Sequence, residues 1–125
     1  MLYEIKPLPS SFSCVYSHGP ISHISMTKES PKTAKLESIH VIKPEKHLGT
    51  VLLLCAVLWA QNLGLEELTG SYAPLQNSIE AARFFYEKRE IAIKDKILSG
   101  NINRIVKSCE NSLAKNKVEY VLLPI

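Results

Sequence analysis

The sequence of 125 residues has few cysteines, and their arrangement excludes two common kinds of small fold. The three cysteines, Cys14, Cys55 and Cys109, are odd in number and widely spaced. A disulfide framework needs paired cysteines and a zinc motif needs close pairs, so neither fits this chain. Cys55 and Cys109 fall on apolar faces of predicted helices, where a thiol acts as a small hydrophobic group. We therefore expect a reducing, intracellular compartment, the cytoplasm.

Charge of one sign is also scarce. The formal net charge is only +3, and no arginine-rich stripe concentrates it, so we expect no nucleic-acid partner. A small basic cluster, Lys43, Lys46 and His47, precedes the most apolar segment. This cluster is typical of a solvated loop unless an anionic ligand binds there.

No apolar run is long enough to cross a bilayer. Residues 48–65 carry no charge, but their densest part, residues 51–60, is too short for about 30 Å of hydrocarbon. The first ten residues, MLYEIKPLPS, have no apolar core and do not resemble a signal peptide. A helix buried against a sheet explains the uncharged run, and we expect no membrane partner.

Familiar metal and hydrolase motifs are missing as well. The four histidines include no pair four residues apart with an acidic partner, so no metal site is expected. No strand-to-helix turn of the form Gly-x-Ser-x-Gly occurs, which leaves Ser-His-Asp catalysis unsupported.

The first part of the chain is predicted to be extended. Residues 1–20 are rich in proline and serine and are expected to form an extended arm, with one short strand near residues 14–17. Residues 21–26 and 36–42 read as two strands joined by a polar turn, which predicts an antiparallel hairpin. We expect residues 21–125 to form a single domain.

The rest of the chain alternates between helical and extended patterns. From Leu48 the apolar period predicts a helix buried nearly all round and ended by Gly64. A returning strand after this helix favours a parallel crossover. The predicted later elements are that strand at 65–69, a helix from Asn77 or Ser78 through Ile97, a helix from Ile102 and a strand at 118–123. The fold class is therefore α/β, an α+β mixed sheet in which a hairpin precedes a βαβα core and a C-terminal helix and strand.

Three segments resemble the GNAT superfamily of acyl-CoA-dependent N-acetyltransferases. LESIHV, followed by Pro44 and Glu45, resembles the central strand of that family; LGTVLL resembles the end of its glycine-rich loop; FYEK resembles its aromatic helix signature. The resemblance implies a GNAT-like domain that transfers an acyl group, with acetyl-CoA as co-substrate, to an amine acceptor.

The resemblance also implies where acetyl-CoA would bind. Backbone amides at the start of the long helix would hold the diphosphate, and the pantetheine arm would pair with the central strand. The implied cofactor-binding residues are Ile39, Val41, His47, Leu48, Gly49, Thr50, Val51 and Asn77.

One catalytic residue follows from the same resemblance. Tyr86 matches the tyrosine that protonates the departing thiolate. For the base that takes the proton of the amine, Glu37 and His40 are substitutes by proximity alone. Tyr86 could instead be an aromatic residue on an apolar helix face with its hydroxyl at the rim.

The sequence departs from the GNAT pattern at several points. The loop before Gly49 is about three residues short, Lys35 stands where some members have their base, and Arg89 and Glu90 replace the usual Gly-Phe, which predicts that the helix continues. Residues 1–20 are too few for the usual first strand and two helices. A second hypothesis is therefore a catalytically degenerate relative that acts as a binding or assembly module, with a homodimer as one way to cover exposed sheet edge.

Overall fold

The computed structural model describes residues 1–42, 46–72 and 79–125, which form eight strands and three helices. Their order is β1 Leu2–Pro9, β2 Ser13–His18, β3 Ser22–Lys28, β4 Thr33–His40, α1 Leu48–Asn62, β5 Glu67–Ser71, α2 Ile79–Lys88, β6 Ala92–Lys94, β7 Ile97–Asn101, α3 Ile102–Lys115 and β8 Glu119–Leu122.

The strands form one mixed sheet in the order β6-β7-β5-β4-β3-β2-β1-β8. The β4–β5 and β1–β8 pairs are parallel, and the other neighbours are antiparallel. The predicted hairpin is β3–β4, and α1 connects the parallel strands β4 and β5 as the crossover pattern predicted. The predicted fold class, a mixed α/β sheet, is confirmed.

The first residues of the chain belong to this sheet and do not form the expected extended arm. Strand β1 pairs with β8 along its first half and with β2 along its second half. Tyr3 and Ile5 are buried while their neighbours are exposed, so the alternation of a half-buried strand outweighs the loop signal of Pro7. Beyond Ile5 the ladder to β8 stops, and a strand with one open edge tolerates proline.

A three-residue loop joins β1 directly to β2. The Ser10 hydroxyl accepts hydrogen bonds from the backbone N–H groups of Phe12 (3.2 Å) and Ser13 (3.1 Å), which closes the turn. The indole N–H of Trp59 in α1 donates to the Ser10 carbonyl at 2.8 Å. No helix lies between these two strands, as predicted from the short N-terminal region, but the expectation that this region is also too short for a first strand is wrong.

Helix α1 lies at the centre of the core. Its apolar residues are buried on all sides, as the sequence predicted, because strands β1–β4 contact it and α3 packs against it. Leu52 and Leu53 are fully buried. In the described parts of the chain, no helix combines the length and apolarity needed to cross a membrane.

The three cysteines are unpaired and buried. Burial raises the pKa of the Cys14, Cys55 and Cys109 thiols to about 12. They therefore stay protonated near neutral pH and pack as small hydrophobic groups, as predicted for Cys55 and Cys109.

Helix α2 ends at Lys88, and the prediction that it continues through Ile97 is wrong. The Ile91 N–H donates to the Tyr86 carbonyl (3.0 Å) and the Glu90 N–H donates to the Glu87 carbonyl (3.2 Å), the paired bonds of a Schellman motif. Glu90 takes the left-handed position with φ of 62°. Glycine usually occupies this position, and its absence hid the helix end from the sequence pattern. Gly64 plays the corresponding role after α1, as predicted, with φ of 77°.

Replacing Glu90 by glycine should stabilise the fold. Glycine removes the cost of a left-handed non-glycine residue, about 1–2 kcal/mol, and loses about 0.5–1 kcal/mol of that gain to chain entropy. We expect the free energy of unfolding in urea to rise by about 0.5–1 kcal/mol. As a matched control, Glu87→Gly inside α2 should lower it by about 1 kcal/mol. Equal effects of the two substitutions would contradict the assignment of the helix end.

Candidate functional site

A gap opens between the parallel strands β4 and β5. Their ladder runs from Thr33–Glu67 to Leu36–Gly70 and then stops, although β4 continues to His40. Beyond Leu36, β4 pairs only with β3 among the described strands, so its edge toward β5 keeps free backbone donors and acceptors. An extended ligand chain can pair with such an edge.

A β-bulge marks the start of this gap. Met26 on β3 pairs with Leu36, and the next residue back along β3, Ser25, pairs with Ser38, so Glu37 is an extra residue on β4. A bulge bends its strand and increases the local twist. The register shift thus explains why β4 leaves β5 at this point.

The start of α1 lies at the open end of the gap, and its first amides have no partner within the helix. His47 precedes the helix in the left-handed conformation with φ of 64°, and its side chain makes no capping hydrogen bond. The first helical bond runs from the Val51 N–H to the His47 carbonyl at 3.1 Å. The amide of Val51, predicted as a ligand donor, is therefore used inside the helix.

The amides of Leu48, Gly49 and Thr50 precede that first bond and have no partner within the helix. The first turn contains no acidic residue, so the positive end of the helix dipole is not neutralised by its own helix. The arrangement suits an anion such as a diphosphate.

Gly49 in the first turn of α1 lies close to Phe85 of α2. A Cβ atom at Gly49 would lie 3.2 Å from Cε1 of Phe85 and 3.7 Å from Cγ2 of Val41. The missing side chain of Gly49 therefore lets the Phe85 ring pack against the first turn. This lateral contact is separate from the amides, which point along the helix axis.

Tyr86 is buried beside this contact. Its ring lies edge-on to Phe85, with centroids 5.5 Å apart, and edge-on to Tyr72, with centroids 6.1 Å apart. The Tyr72 hydroxyl donates to the Ile79 carbonyl at 2.8 Å, which ties the chain after β5 to the start of α2. Burial raises the pKa of the Tyr86 phenol, and the nearby Tyr72 adds to this effect. Tyr86 therefore remains a protonated donor at neutral pH.

Glu37 lies in the bulge with its carboxylate partly solvated. Its Oε1 accepts from the Thr27 hydroxyl at 2.9 Å and lies 3.9 Å from Nζ of Lys35. These contacts place Glu37 on the sheet face of Lys35 and Thr27, away from the buried Leu36 and Met26.

The structure brings several of the predicted site residues together. Gly49 lies close to both Phe85 and Val41, and the Phe85 ring packs against that of Tyr86. Ile39, which is partly buried, lies near the end of β4, two residues before Val41. Asn77 lies outside the described residues. The sequence indicates Phe85 only as part of the aromatic signature, because its contact with Gly49 is a tertiary one. Within the described ranges, no group of three or more His, Cys, Asp or Glu side chains could hold a metal ion.

Solved structures with a similar fold include acetyltransferases that hold acetyl-CoA or coenzyme A. A GNAT acetyltransferase from Elizabethkingia anophelis with acetyl-CoA bound has 16% identity and a TM-score of 0.59, and the match covers 73% of this chain and 77% of that one. The PaiA N-acetyltransferase from Thermoplasma acidophilum with coenzyme A has 21% identity, a TM-score of 0.60, and 72% and 61% coverage. A GNAT acetyltransferase from Streptococcus pneumoniae has 18% identity, a TM-score of 0.59, and 74% and 68% coverage.

No protein-family model and no curated protein matches the sequence of the chain. At such low identities, structural similarity establishes the fold alone. The fold is that of the acyl-CoA-dependent N-acyltransferases: the chain has a GNAT-like fold, as the resemblance of its motifs implied.

Proposed function

We propose that this protein is an N-acyltransferase that uses acetyl-CoA and transfers the acetyl group to an amine. The observation that carries the proposal is the edge of β4 that no described strand pairs with, which runs from the bulge at Glu37 toward the start of α1. The diphosphate would bind the amides of Leu48, Gly49 and Thr50. The pantetheine arm would pair with β4 near Ile39 and Val41.

The proposed reaction is direct attack on the bound thioester. The amine nitrogen forms a bond to the carbonyl carbon, the carbon–sulfur bond breaks, and the thiolate takes a proton from Tyr86. A basic group takes the proton of the amine, and Glu37 is the carboxylate in the bulge that could do so. The raised pKa of Tyr86 supports its role, because an acid must still hold its proton at neutral pH. The buried free thiols support a reducing compartment, and we propose the cytoplasm.

Calorimetric titration with acetyl-CoA tests the binding site. The wild-type protein should bind with a micromolar Kd, and His47→Asp should weaken binding at least about tenfold, because a carboxylate at the helix start repels the diphosphate. His47→Asn is the matched control, because asparagine is similar in size to aspartate and tolerates the left-handed conformation but carries no charge. Absence of detectable heat from wild-type protein at high concentration would contradict the proposal.

The alternative, a degenerate relative that binds or assembles without acyl transfer, has one observation in its favour. Leu8, Phe12 and Leu122, on the strands and loop around the β1–β8 edge, are large apolar residues with 62%, 74% and 47% of their surface exposed. A second copy of the chain in a homodimer could cover them. Sedimentation equilibrium showing a dimer, together with a failure to bind acetyl-CoA, would favour this alternative.

A further inference from the structure

His23 on β3 makes two hydrogen bonds that fix the role of each ring nitrogen. Its Nδ1 lies 3.1 Å from the carbonyl oxygen of Ile21, and its Nε2 lies 3.3 Å from the hydroxyl oxygen of Ser38. A carbonyl oxygen can only accept, so in the neutral imidazole the proton sits on Nδ1. The lone pair of Nε2 then faces the Ser38 hydroxyl. A base held by a third group and aimed at a hydroxyl is the arrangement that activates such a hydroxyl in enzymes.

Ser38 sits where the proposed thioester would end. It follows the extra residue Glu37 in the bulge, at the point where β4 leaves β5. An extended chain rises about 3.3 Å per residue, so Ser38 lies about 10 Å before Val41. Val41 follows β4 and lies beside the first turn of α1. A pantetheine arm that leaves the diphosphate and follows the free edge of β4 therefore leads to the bulge.

The two faces of β4 differ at this position. Ile39 and Val41 pack against the core beneath the sheet, whereas Ser38 and His40 are exposed. An amine can reach a thioester in the gap only from the exposed face, since α1 fills the other. His23 and Ser38 both lie on that exposed face.

We propose that Ser38 and His23 accept the proton of the attacking amine, an assignment that rests on the proposed acyl transfer. As the nitrogen bonds to the carbonyl carbon, its proton passes to Ser38 Oγ while the Ser38 hydroxyl proton passes to Nε2 of His23. The carbon–sulfur bond breaks, and Tyr86 protonates the thiolate. The imidazolium then loses its proton, and the tyrosinate regains one, through water. Ser38 touches the amine, and His23 acts through Ser38 as its positioning and proton-accepting partner.

This pair meets the geometric demand better than Glu37. The Oε1 atom of Glu37 is already engaged by a hydroxyl and an ammonium group, whereas Nε2 of His23 faces a single hydroxyl. The ring of His40 on β4 lies beside that of His23, with centroids 6.3 Å apart. On β2, the residue paired with His23 is the uncharged Ser17.

The test compares His23→Gln with His18→Gln, the matched control. His18 also places a ring nitrogen on a backbone carbonyl, that of Glu4, at 2.9 Å, but it lies on β2 away from the bulge. Release of coenzyme A from acetyl-CoA is followed with n-butylamine, a minimal primary amine, from pH 5.5 to 9. We expect His23→Gln to lower kcat at least about tenfold, to leave the KM for acetyl-CoA unchanged, and to remove the acidic limb of the pH profile. His18→Gln should change none of these.

A second variant keeps the test decisive if His23→Gln does not fold. Ser38→Ala should give the same loss of kcat, and Ser38→Thr, which retains the hydroxyl, should restore most of it. Normal kcat and an unchanged acidic limb in a folded His23→Gln protein would overturn this assignment and leave the proposed function intact. Absence of acetyl-CoA binding or of amine acetylation in the wild-type protein would overturn both.

Discussion

Replacing Tyr86 by phenylalanine should lower kcat about a hundred-fold or more, while the Kd for acetyl-CoA changes less than about twofold. The substitution removes only the hydroxyl, and the ring keeps its edge-on contacts with Tyr72 and Phe85. Because burial raises the pKa of the Tyr86 phenol above its ordinary value, the wild-type tyrosine stays protonated at neutral and mildly alkaline pH. Mild alkali therefore does not reproduce the effect of removing the hydroxyl. Stopped assays of coenzyme A release and calorimetric titration measure the two quantities separately.

The control for this prediction is Tyr120→Phe. Tyr120 is another partly buried tyrosine whose pKa is raised by burial. It lies near Cys55 and on β8, an edge strand that β1, β2 and β3 separate from β4. Its replacement should leave kcat and Kd unchanged. A Tyr86→Phe protein with wild-type turnover would remove Tyr86 from the acid role and return it to an aromatic residue of the core.

Replacing Gly49 by valine should destabilise the fold by about 1–3 kcal/mol and weaken acetyl-CoA binding at least about tenfold. A single Cβ atom would already lie 3.2 Å from the Phe85 ring, and the two methyl groups of valine demand more space on the sides of Phe85 and Val41. The gain in helix propensity over glycine, a few tenths of a kcal/mol, is smaller than this overpacking. The first turn must shift, and its amides shift with it.

A double-mutant cycle in urea isolates the contact. In a Phe85→Ala background, Gly49→Val should cost less than in the wild type, with a coupling of about 1 kcal/mol. Phe84→Ala is the matched control, because Phe84 is 62% exposed and should show no coupling with Gly49. Equal coupling for the two phenylalanines would show that Phe85 does not occupy the space above Gly49.

Local patterns were enough to predict the centre of the fold. The periodic apolar run from Leu48 predicted the start of α1. Gly64, a residue type that favours the left-handed conformation, predicted its end. Such features depend on neighbours three or four residues apart, so a single sequence carries them. The hairpin β3–β4 followed from alternation within each strand for the same reason.

Other elements depend on partners that local patterns do not reveal. Strand β1 resembles a loop because of Pro7, and only its pairing with β2 and β8 makes it a strand. Ile93 and Ile97 are four residues apart, as on one face of a helix, yet they lie on two paired strands. The helix before them ends at a left-handed Glu90, and a glutamate does not mark a helix end in the sequence as a glycine does.

The candidate site combines both kinds of information. The motif around Tyr86 was visible through its resemblance to a family, whereas the bulge at Glu37 exists only in the register between two strands. The same holds for the bond between His23 and Ser38, which are 15 residues apart. The sequence therefore suggested the candidate acid, Tyr86. The candidate base pair, His23 and Ser38, is visible only from the pairing of β3 with β4.

The parallel pair β1–β8 joins residues more than a hundred positions apart, Leu2 beside Glu119. Closing so large a loop costs chain entropy before any contact rewards it, so this edge should form late in folding. The Tyr3 hydroxyl on β1 donates to the Lys46 carbonyl just before α1, which links that edge to the chain entering the first turn. We therefore expect the first turn of α1, where the proposed diphosphate site lies, to reach its final position only after β8 has paired with β1.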